Sequence, residues 1–574
     1  MRAAATVAFA LWLCACVHAA TYKVVGVSQD SHIAVRVQDQ IYVLKTSIED
    51  SLLHEGVAPG NKPYHYCLVK QDDPQSIVDE ENFDRPAIGA NATTENEIYG
   101  RSWTRREVDT FKPIQSLPQN RYNRVHSDRP TDQIPVIHVV GPQDEIDKIH
   151  NDYLLDISTQ VNMTFISASQ FYQFSDVKFK LGGRTSRYYT RPAYNLKLPK
   201  GSRLFGFRKL KIRTLATDPS CMREKLAFDM IEAAGLAASR AYYVRVYMNQ
   251  RAAGLFMLEE KYEDHWLEAE YGGGSDSYKW GPLYRGEGRT KKNAADLSYH
   301  GNDTTYYSKQ APYTVQAKAE VGPTVEYNDL VAFTKFIDDQ LKNATASIGE
   351  WNKYINLDVF LINNLFEFFN GFCDGYLQNT NNYYLYANPA EDFAFTWISW
   401  DLDYVMGSGY VHFSKLIKGN YSEFPGVQKR PLTKALQQNA AIRQRTNDLM
   451  RTLHDNLYSP SVSFPVIDSH VAFIKEDVAW FNSLKPMRSG VSFIPGIGPN
   501  PIGNLAHNNV SGDSISTPLS LDLITAADYM IRIQKKISLE KAVEGPTHHR
   551  SLWAIKQWFK EKSDNVQKYM RAHT

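Results

Sequence analysis

Cysteine is scarce, with five residues in a chain of 574. Cys14 and Cys16 lie in an apolar N-terminal run. The remaining Cys67, Cys221 and Cys373 allow at most one bridge and one free thiol, which excludes a disulfide framework. No Cys-x-x-Cys pair is present, and no His-Glu-x-x-His or Gly-x-x-x-x-Gly-Lys-Ser/Thr loop. Cys373, although beside Asp374, reads as a plain buried cysteine rather than a nucleophile. An excess of charge is lacking too: 64 basic residues face 63 acidic ones, for a formal net charge of +1. With no basic face either, a nucleic-acid partner is not expected. The sixteen histidines are scattered, and the His548-His549 pair reads as solvated. There is no internal repeat. After the first residues no segment is apolar and long enough to span a bilayer. The polar ending Lys568–Thr574 is not expected to carry a GPI anchor.

The N-terminus has a recognisable pattern. Arg2 supplies a positive start, Ala3 to Val17 is almost wholly apolar, and small residues stand at Val17 and Ala19. This predicts a signal peptide over residues 1–19, too short to be a clear membrane span. Six Asn-x-Ser/Thr sequons follow, at Asn91, Asn162, Asn302, Asn343, Asn420 and Asn509. The expectation is a eukaryotic glycoprotein, secreted or held at the cell surface, with N-glycans on exposed loops.

The length implies two or three domains. Residues 20–130 carry short alternating segments such as Ile33-Ala-Val-Arg-Val37, punctuated by Pro, Asn and Asp. They predict a β-rich domain followed, from about residue 70, by a loosely structured connector. A buried strand starts at Ile134, and a helix follows with Ile146, Ile149, Tyr153 and Ile157 on one face. Strands are then predicted at 177–181, 194–198 and 209–215. In the third, Lys209, Lys211 and Arg213 share a face. A helix capped by Asp218, with Pro219 in its first turn, should end near Gly235. Strands at 241–247 and 254–258, an acidic segment at 259–264 and a short helix come next. Gly272-Gly-Gly-Ser275 reads as a flexible loop. Asn356 caps an apolar helix that delivers Asp374. Beyond residue 430 the chain reads as mainly helical, with Ile467, Val471, Ile474, Val478 and Phe481 at helical spacing and an irregular loop at Pro495–Gly503. Three strands, a helix, two strands, an acidic connector and then helices is the layout of the protein kinases.

The informative stretch is 360–405. Asp374 enters a loop rich in Gly, Asn and Gln, ended by an Asn. Tyr383–Tyr386 and Phe393–Ser399 form a hairpin, and Trp400-Asp-Leu-Asp403 follows. Asp374, an Asn and Asp401 thus meet at one hairpin end. Phosphoryl transfer needs such a set: one carboxylate for the attacking hydroxyl, and an Asn with a second carboxylate for Mg²⁺. The bland alternative is an Asp/Asn-rich turn on a charged surface hairpin. Paired glycosidase carboxylates at Asp401 and Asp403 would leave everything upstream unexplained.

Here the chain resembles the spore-coat-protein CotH kinase family. The likeness rests on Asp374-Gly-Tyr, Asn382-Tyr-Tyr-Leu-Tyr386 and Trp400-Asp-Leu-Asp403. It is supported by Gly182-Gly-Arg-Thr-Ser186, Asp218–Ala227 and Gly254–Glu259, and spans roughly 134–410. The resemblance implies an α+β, atypical protein-kinase-like two-lobed fold, with a sandwich-like β-rich N-terminal domain and a helical C-terminal extension. The boundaries would be 20–130, then 131–265 and 266–455 for the two lobes, and 456–574. It implies ATP with Mg²⁺ or Mn²⁺, acting on Ser/Thr of secretory, coat or cell-wall proteins. Invasin-like relatives imply instead a binding protein for a host or cell-surface partner. Carried over, Asp374 is the catalytic residue. Asp401 and Asn382 are metal ligands, Asn382 being preferred to Asn379 because it directly precedes a strand, and Asp403 is auxiliary. Lys211, with Lys197 as rival, anchors the nucleotide and pairs with Glu224. Arg184 grips phosphate, and Glu259 belongs to a hinge over 258–262. Neither His-Arg-Asp, Ala-Pro-Glu nor Gly-x-Gly-x-x-Gly is present.

Overall fold

The computed structural model describes residues 19–118, 122–125, 127–183, 185–288, 294–310, 313–323, 325–488 and 522–572. The signal-peptide run, Arg184, the loop at 495–503 and Asn509 lie outside them.

Strands β1 (Ala19–Val25), β2 (Ser31–Val37), β3 (Gln40–Val43), β4 (Lys45–Thr46), β5 (Leu53–Pro59), β6 (Tyr64–Lys70), β7 (Ile77–Glu80) and β8 (Glu97–Ile98) make two four-stranded sheets. Their orders are β4-β5-β1-β8 and β3-β2-β6-β7. Tyr22, Val24 and Ala58 of the first sheet meet Ile33, Val35, Tyr64 and Tyr66 of the second in one apolar layer, as alternation along each strand requires. The expected β-rich region is therefore present. The expected loose connector starts later than residue 70, because β7 and β8 still pair in these sheets, and beyond Ile98 it is irregular but anchored. Trp103, Phe111, Ile114 and Leu117 are buried in the main core, and the buried Arg101 donates to Ile134 O at 2.9 Å.

The next unit is a closed seven-stranded barrel where six strands were expected, the one from Ile134 among them. β9 (Val136–Val140) is followed by helix α1 (Gln143–Asn151), β10 (Ser158–Ile166), β11 (Phe171–Leu181), β12 (Tyr194–Lys197) and β13 (Lys209–Thr214). Helix α2 (Arg223–Ala233), β14 (Tyr242–Met248) and β15 (Arg251–Glu260) complete it, in the order β10-β11-β12-β13-β15-β14-β9. Alternate residues such as Val161, Phe179, Leu196, Leu210, Ile212, Val244 and Phe256 fill the interior. Helix α1 ends at Asn151, so Tyr153 and Ile157 follow it rather than extending its face. Helix α2 begins at Arg223, not Pro219, because Cys221 takes a left-handed backbone (φ 57°). Asp218 still caps from a distance, accepting the N–H groups of Met222 (3.0 Å) and Arg223 (2.9 Å).

Helix α3 (Asp264–Tyr271) leads to a second sheet made of β16 (Leu283–Gly286), β17 (Tyr313–Ala317), β18 (Tyr383–Ala387) and β19 (Phe395–Ser399), ordered β17-β16-β18-β19. The loop at 272–275 is tied down, with Gly273 N donating to Asn123 O and Gly274 N to Glu268 O at 2.9 Å. Between β17 and β18 lie α4 (Asn328–Lys342), α5 (Ile348–Trp351), α6 (Leu357–Asn370) and α7 (Tyr376–Asn379). Asn356 caps α6 by accepting Val359 N at 3.2 Å, as its sequence predicts. Gly371 ends α6 in the left-handed region (φ 60°), where a Cβ would sit 2.4 Å from the Trp558 ring.

The C-terminal part is helical, as expected: α8 (Pro431–Gln438), α9 (Ala440–Leu453), α10 (Pro460–Ser483), α11 (Leu523–Arg532), α12 (Leu539–Val543) and α13 (Ile555–Ala572). These helices share one core with α2 and α6. Trp558 donates to Phe369 O at 3.0 Å, and Asp477 of α10 pairs with Arg245 of β14 at 2.6 Å. Of the sequons within the described residues, Asn91, Asn162, Asn302 and Asn343 are exposed. Asn162 stands on strand β10 rather than a loop, and the half-buried Asn420 caps a turn through Ser422 N at 3.0 Å. No helix among the described residues is long and apolar enough to cross a membrane. Cys67, Cys221 and Cys373 are all free and buried.

Candidate active site

Strand β13 sets one wall. Its period of two sends Leu210 and Ile212 into the barrel and turns Lys209, Lys211 and Arg213 outward. Lys209 is occupied elsewhere, by Glu263 at 2.5 Å and Asp264 at 3.1 Å. Lys211 Nζ stands 3.2 Å from Asp401 Oδ1, 3.8 Å from Glu259 Oε2 and 4.7 Å from the centre of the Trp400 ring. The rival Lys197 is exposed on β12.

Arg213 is the hub. Its Nε donates to Glu224 Oε2 at 2.8 Å, Nη1 lies 2.9 Å from Asp401 Oδ1, and Nη2 lies 2.8 Å from Asp403 Oδ2. The Asp403 contact is not aligned as a hydrogen bond. Glu224, in the first turn of α2, therefore pairs with Arg213 and not with Lys211 as expected. Arg213 is one step further along the same strand face and reaches the helix start, which itself lies four residues later than predicted. Glu224 Oε1 also accepts Leu402 N at 3.1 Å, fixing the turn that carries Asp401. Asp401 adopts φ 57°, a strained conformation for an aspartate.

The other wall is the loop after α6. Asp374 accepts hydrogen bonds from Asn379 Nδ2 (2.8 Å), Asn382 Nδ2 (2.9 Å) and Tyr410 OH (3.3 Å). Asn382 also donates to Asp374 O at 3.0 Å, and its own carbonyl accepts Trp400 N at 3.0 Å. The loop is thereby tied to the Trp400–Asp403 turn. Beneath it, the buried Glu367 of α6 accepts Tyr376 N (3.0 Å) and Leu377 N (2.9 Å), and Arg430 donates to Leu377 O at 2.9 Å.

The electrostatics separate these carboxylates. Burial pushes the Asp374 carboxyl up, and the nearby Asp401 charge adds to this. Burial also opposes ionisation of Asp401, but the Arg213 and Lys211 charges outweigh it and hold that carboxyl below the usual range. Asp403 is pushed well up by burial and by the Asp401 and Glu224 charges, which Arg213 does not offset. Glu259 is pushed well up by burial and the Glu224 charge, and both its carboxyl oxygens are buried without a hydrogen-bond partner.

The structure thus brings together Lys211, Glu224, Glu259, Asp401 and Asp403, with Asp374 and Asn382 alongside. The hinge over 258–262 is shorter than expected, because Leu258 lies within β15 and pairs with both Ile212 and Tyr242. Glu259 stands opposite Lys211 in the β13–β15 ladder, with its carboxylate turned to that lysine. Arg213, Tyr410, Glu367 and Arg285, whose guanidinium on β16 adds positive charge near Asp401, are additional members. Only Arg213 had a signal in the sequence, its period-two relation to Lys211.

A strand-borne lysine and arginine facing paired acids, beside a loop aspartate held by amides, defines a class. The chain belongs to the CotH kinase protein family, whose model matches residues 179–480, more than half of its length. That span contains every candidate residue. Among curated proteins, the chain is 25% identical to Invasin CotH3 of Rhizopus delemar over 499 residues, 84% of this chain and 79% of the relative. It is 24% identical to Invasin CotH2 of the same fungus over 425 residues (72% and 69%). It is also 22% identical to that fungus's Spore coat protein homolog 1 over 486 residues (82% and 74%).

Proposed function

We propose that this chain is a secreted or surface-held atypical protein kinase. It transfers the γ-phosphate of ATP to Ser/Thr of secretory, coat or cell-wall proteins. The reading rests on one observation: within a single charge cluster, Asp374 is held by neutral donors while Asp401 is held by cations. The barrel with α2 would be the smaller lobe (131–265) of a kinase-like pair and the α6–β19 region with α8 and α9 the larger (266–455), with 20–130 and 456–574 as flanking domains. Cleavage of residues 1–19 and N-glycans on the exposed sequons fit that route.

Asp374 would orient the attacking hydroxyl and accept its proton. Its carboxyl, raised by burial, suits a base that must take up and release a proton. Lys211 would meet the nucleotide phosphates, and Arg184 would cover them. Asp401 and Asp403, with Asn382 through its Oδ1, would hold Mg²⁺ or Mn²⁺. The donors are hard oxygens, and both Glu259 carboxyl oxygens are buried close by without a hydrogen-bond donor, so the residues fit a hard divalent cation. Among the described residues no three acidic, histidine or cysteine side chains form a ready-made cage. That suits Mg²⁺, which takes one or two carboxylates and completes its shell with water and phosphate oxygens. Bound there, the cation would neutralise charge on the phosphates.

The test is autophosphorylation of the purified protein with labelled ATP and Mn²⁺, comparing wild type with Asp374→Ala and Asp401→Ala. The expected result is incorporation in wild type and near-complete loss in both variants. Unchanged incorporation in the variants would sink the site. The names of two relatives, Invasin CotH3 and Invasin CotH2, favour a second reading, a host-surface binding protein on the same scaffold. That reading wins if wild type neither incorporates phosphate nor binds nucleotide by calorimetry.

A further inference from the structure

Arg213 is the residue that holds Asp401 and Asp403 together. Its three nitrogens serve three acids: Nε holds Glu224, and the two Nη atoms face Asp401 and Asp403. Glu224 is fixed by its bond to Leu402 N, so the Nε contact is an anchored pivot. The Nη contacts are the exchangeable ones, and the contact to Asp403 is misaligned for hydrogen bonding. Lys211 differs, because it has Glu259 as a second acid and can stay paired if Asp401 is taken.

The charge balance points the same way. Asp374, Asp401, Asp403, Glu224 and Glu259 act on one another, and the positive charge facing them comes chiefly from Lys211 and Arg213, since Arg285 is paired with Glu287 at 2.6 Å. A divalent ion and the guanidinium would seek the same carboxyl oxygens of Asp401 and Asp403, so the two cannot occupy them together. The guanidinium's charge is fixed, since arginine does not lose its proton in proteins.

We infer that Arg213 is a tethered stand-in for the divalent cation: it occupies Asp401 and Asp403 through its Nη atoms, competes with the ion for both, and swings aside on the Glu224 pivot when the ion binds. This deepens the kinase reading and rests on it for the existence of the cation site. It assigns Arg213 as a positioning residue that sets cation affinity, a role distinct from that of Lys211.

The test is calorimetric titration of the full chain with Mn²⁺ in the absence of nucleotide, with circular dichroism to verify folding. Arg213→Met keeps side-chain bulk and removes the competitor, so Mn²⁺ affinity should rise by about tenfold or more. Arg213→Lys keeps the buried charge and the fold but loses the fork that spans both carboxylates, and should give a smaller rise. Lys211→Met, which removes one contact to one carboxylate, should raise affinity less than Arg213→Met. Binding that is unchanged or weaker in folded Arg213→Met or Arg213→Lys would overturn the inference. So would an equal gain in Lys211→Met, which would make the effect one of net charge alone. If wild type binds no Mn²⁺ but Arg213→Met does, the competition is upheld in its strongest form. If neither binds, the cation site itself fails, and the inference with it.

Discussion

The loop at 374–382 and the turn at 400–403 face each other across the site and hold their carboxylates by opposite means. Around Asp374 stand two amides and a phenol, all neutral. Around Asp401 stand a lysine and an arginine. The consequence is a split in acidity: Asp374 is pushed up and Asp401 is held down. Under the kinase reading, environments that drive two carboxylates apart would suit them to different tasks, one to carry a proton and one to stay anionic. The loop side is built mostly from local sequence, Asn379 and Asn382 following Asp374 closely, with Tyr410 the one partner from further along the chain. The turn side is built from distant segments, with β13, α2 and β15 each contributing one or two side chains.

The sharpest way to break this comparison is to neutralise each carboxylate without changing its shape. Asp401→Asn should abolish both Mn²⁺ binding and phosphate transfer. Asp374→Asn should retain Mn²⁺ binding and lower transfer by about a thousandfold, in the range expected for loss of a positioned base. Calorimetry and labelled-ATP incorporation on the two variants check this. Equal loss of Mn²⁺ binding in both would erase the distinction.

A second test compares the stability of the two sides. Glu224→Ala leaves Arg213 buried with one acid fewer and should cost roughly 3–5 kcal/mol. Asn382→Ala removes neutral hydrogen bonds and should cost about 1–2 kcal/mol. Urea midpoints measured on the full chain would reverse the argument if Asn382→Ala proved the costlier.

Much of the loop side was legible in the sequence and little of the turn side was. Asn356, the apolar spacing of 357–368 and the Asn382-Tyr-Tyr strand start are local signals, and each appears where its chemistry predicts. The hairpin alone brings Asp374 near Asp401. By contrast, Lys211 and Arg213 share one strand face, and the choice of which meets Glu224 depends on where α2 begins. That start is moved by the backbone of Cys221, whose left-handed turn carries no residue-type signal of the kind glycine gives. Strand β10 went unpredicted although Gln160, Asn162 and Thr164 alternate with Val161, Met163 and Phe165 in the period of two that marks a half-buried strand. The buried anchors Trp103, Phe111, Ile114 and Leu117 follow neither period, since they are spaced by the surface they cross and not by a helix or strand.

A third test uses the support beneath the loop. Burial, outweighing the N–H groups of Leu377 and Tyr376, pushes the Glu367 carboxyl from its ordinary 4.5 up to about 8. A raised folded value means the native state binds the proton more tightly than the unfolded chain. That contribution to stability is complete below the unfolded value and is lost as pH rises toward the folded one. Wild type should therefore lose roughly 3 kcal/mol more than Glu367→Gln between about pH 5 and about pH 8. Urea unfolding of both proteins at each pH measures the difference, and parallel profiles would refute it.

The smallest effect is expected at Tyr410, where the comparison is most delicate. Its hydroxyl donates to Asp374 Oδ1 at 3.3 Å and accepts from Asn379 Nδ2 at 2.8 Å, so Tyr410→Phe removes one long bond and one good one. Asn379 keeps its 2.8 Å bond to Asp374, so the loop should stay in place at a cost of about 1 kcal/mol. The Tyr410 hydrogen bond favours the ionised form of Asp374 against the burial that opposes it. Its loss should raise that carboxyl further. If Asp374 acts as the base, the acidic limb of the transfer-rate profile must then move to higher pH in Tyr410→Phe, with the rate on the alkaline side little changed. Asp401 makes no contact with Tyr410 that could produce such a shift, so the limb reports on the loop side alone. A limb that stays where it is, in a variant that still folds and still binds Mn²⁺, would mean that the proton is handled by another group and that the neutral shell around Asp374 serves only to hold the loop.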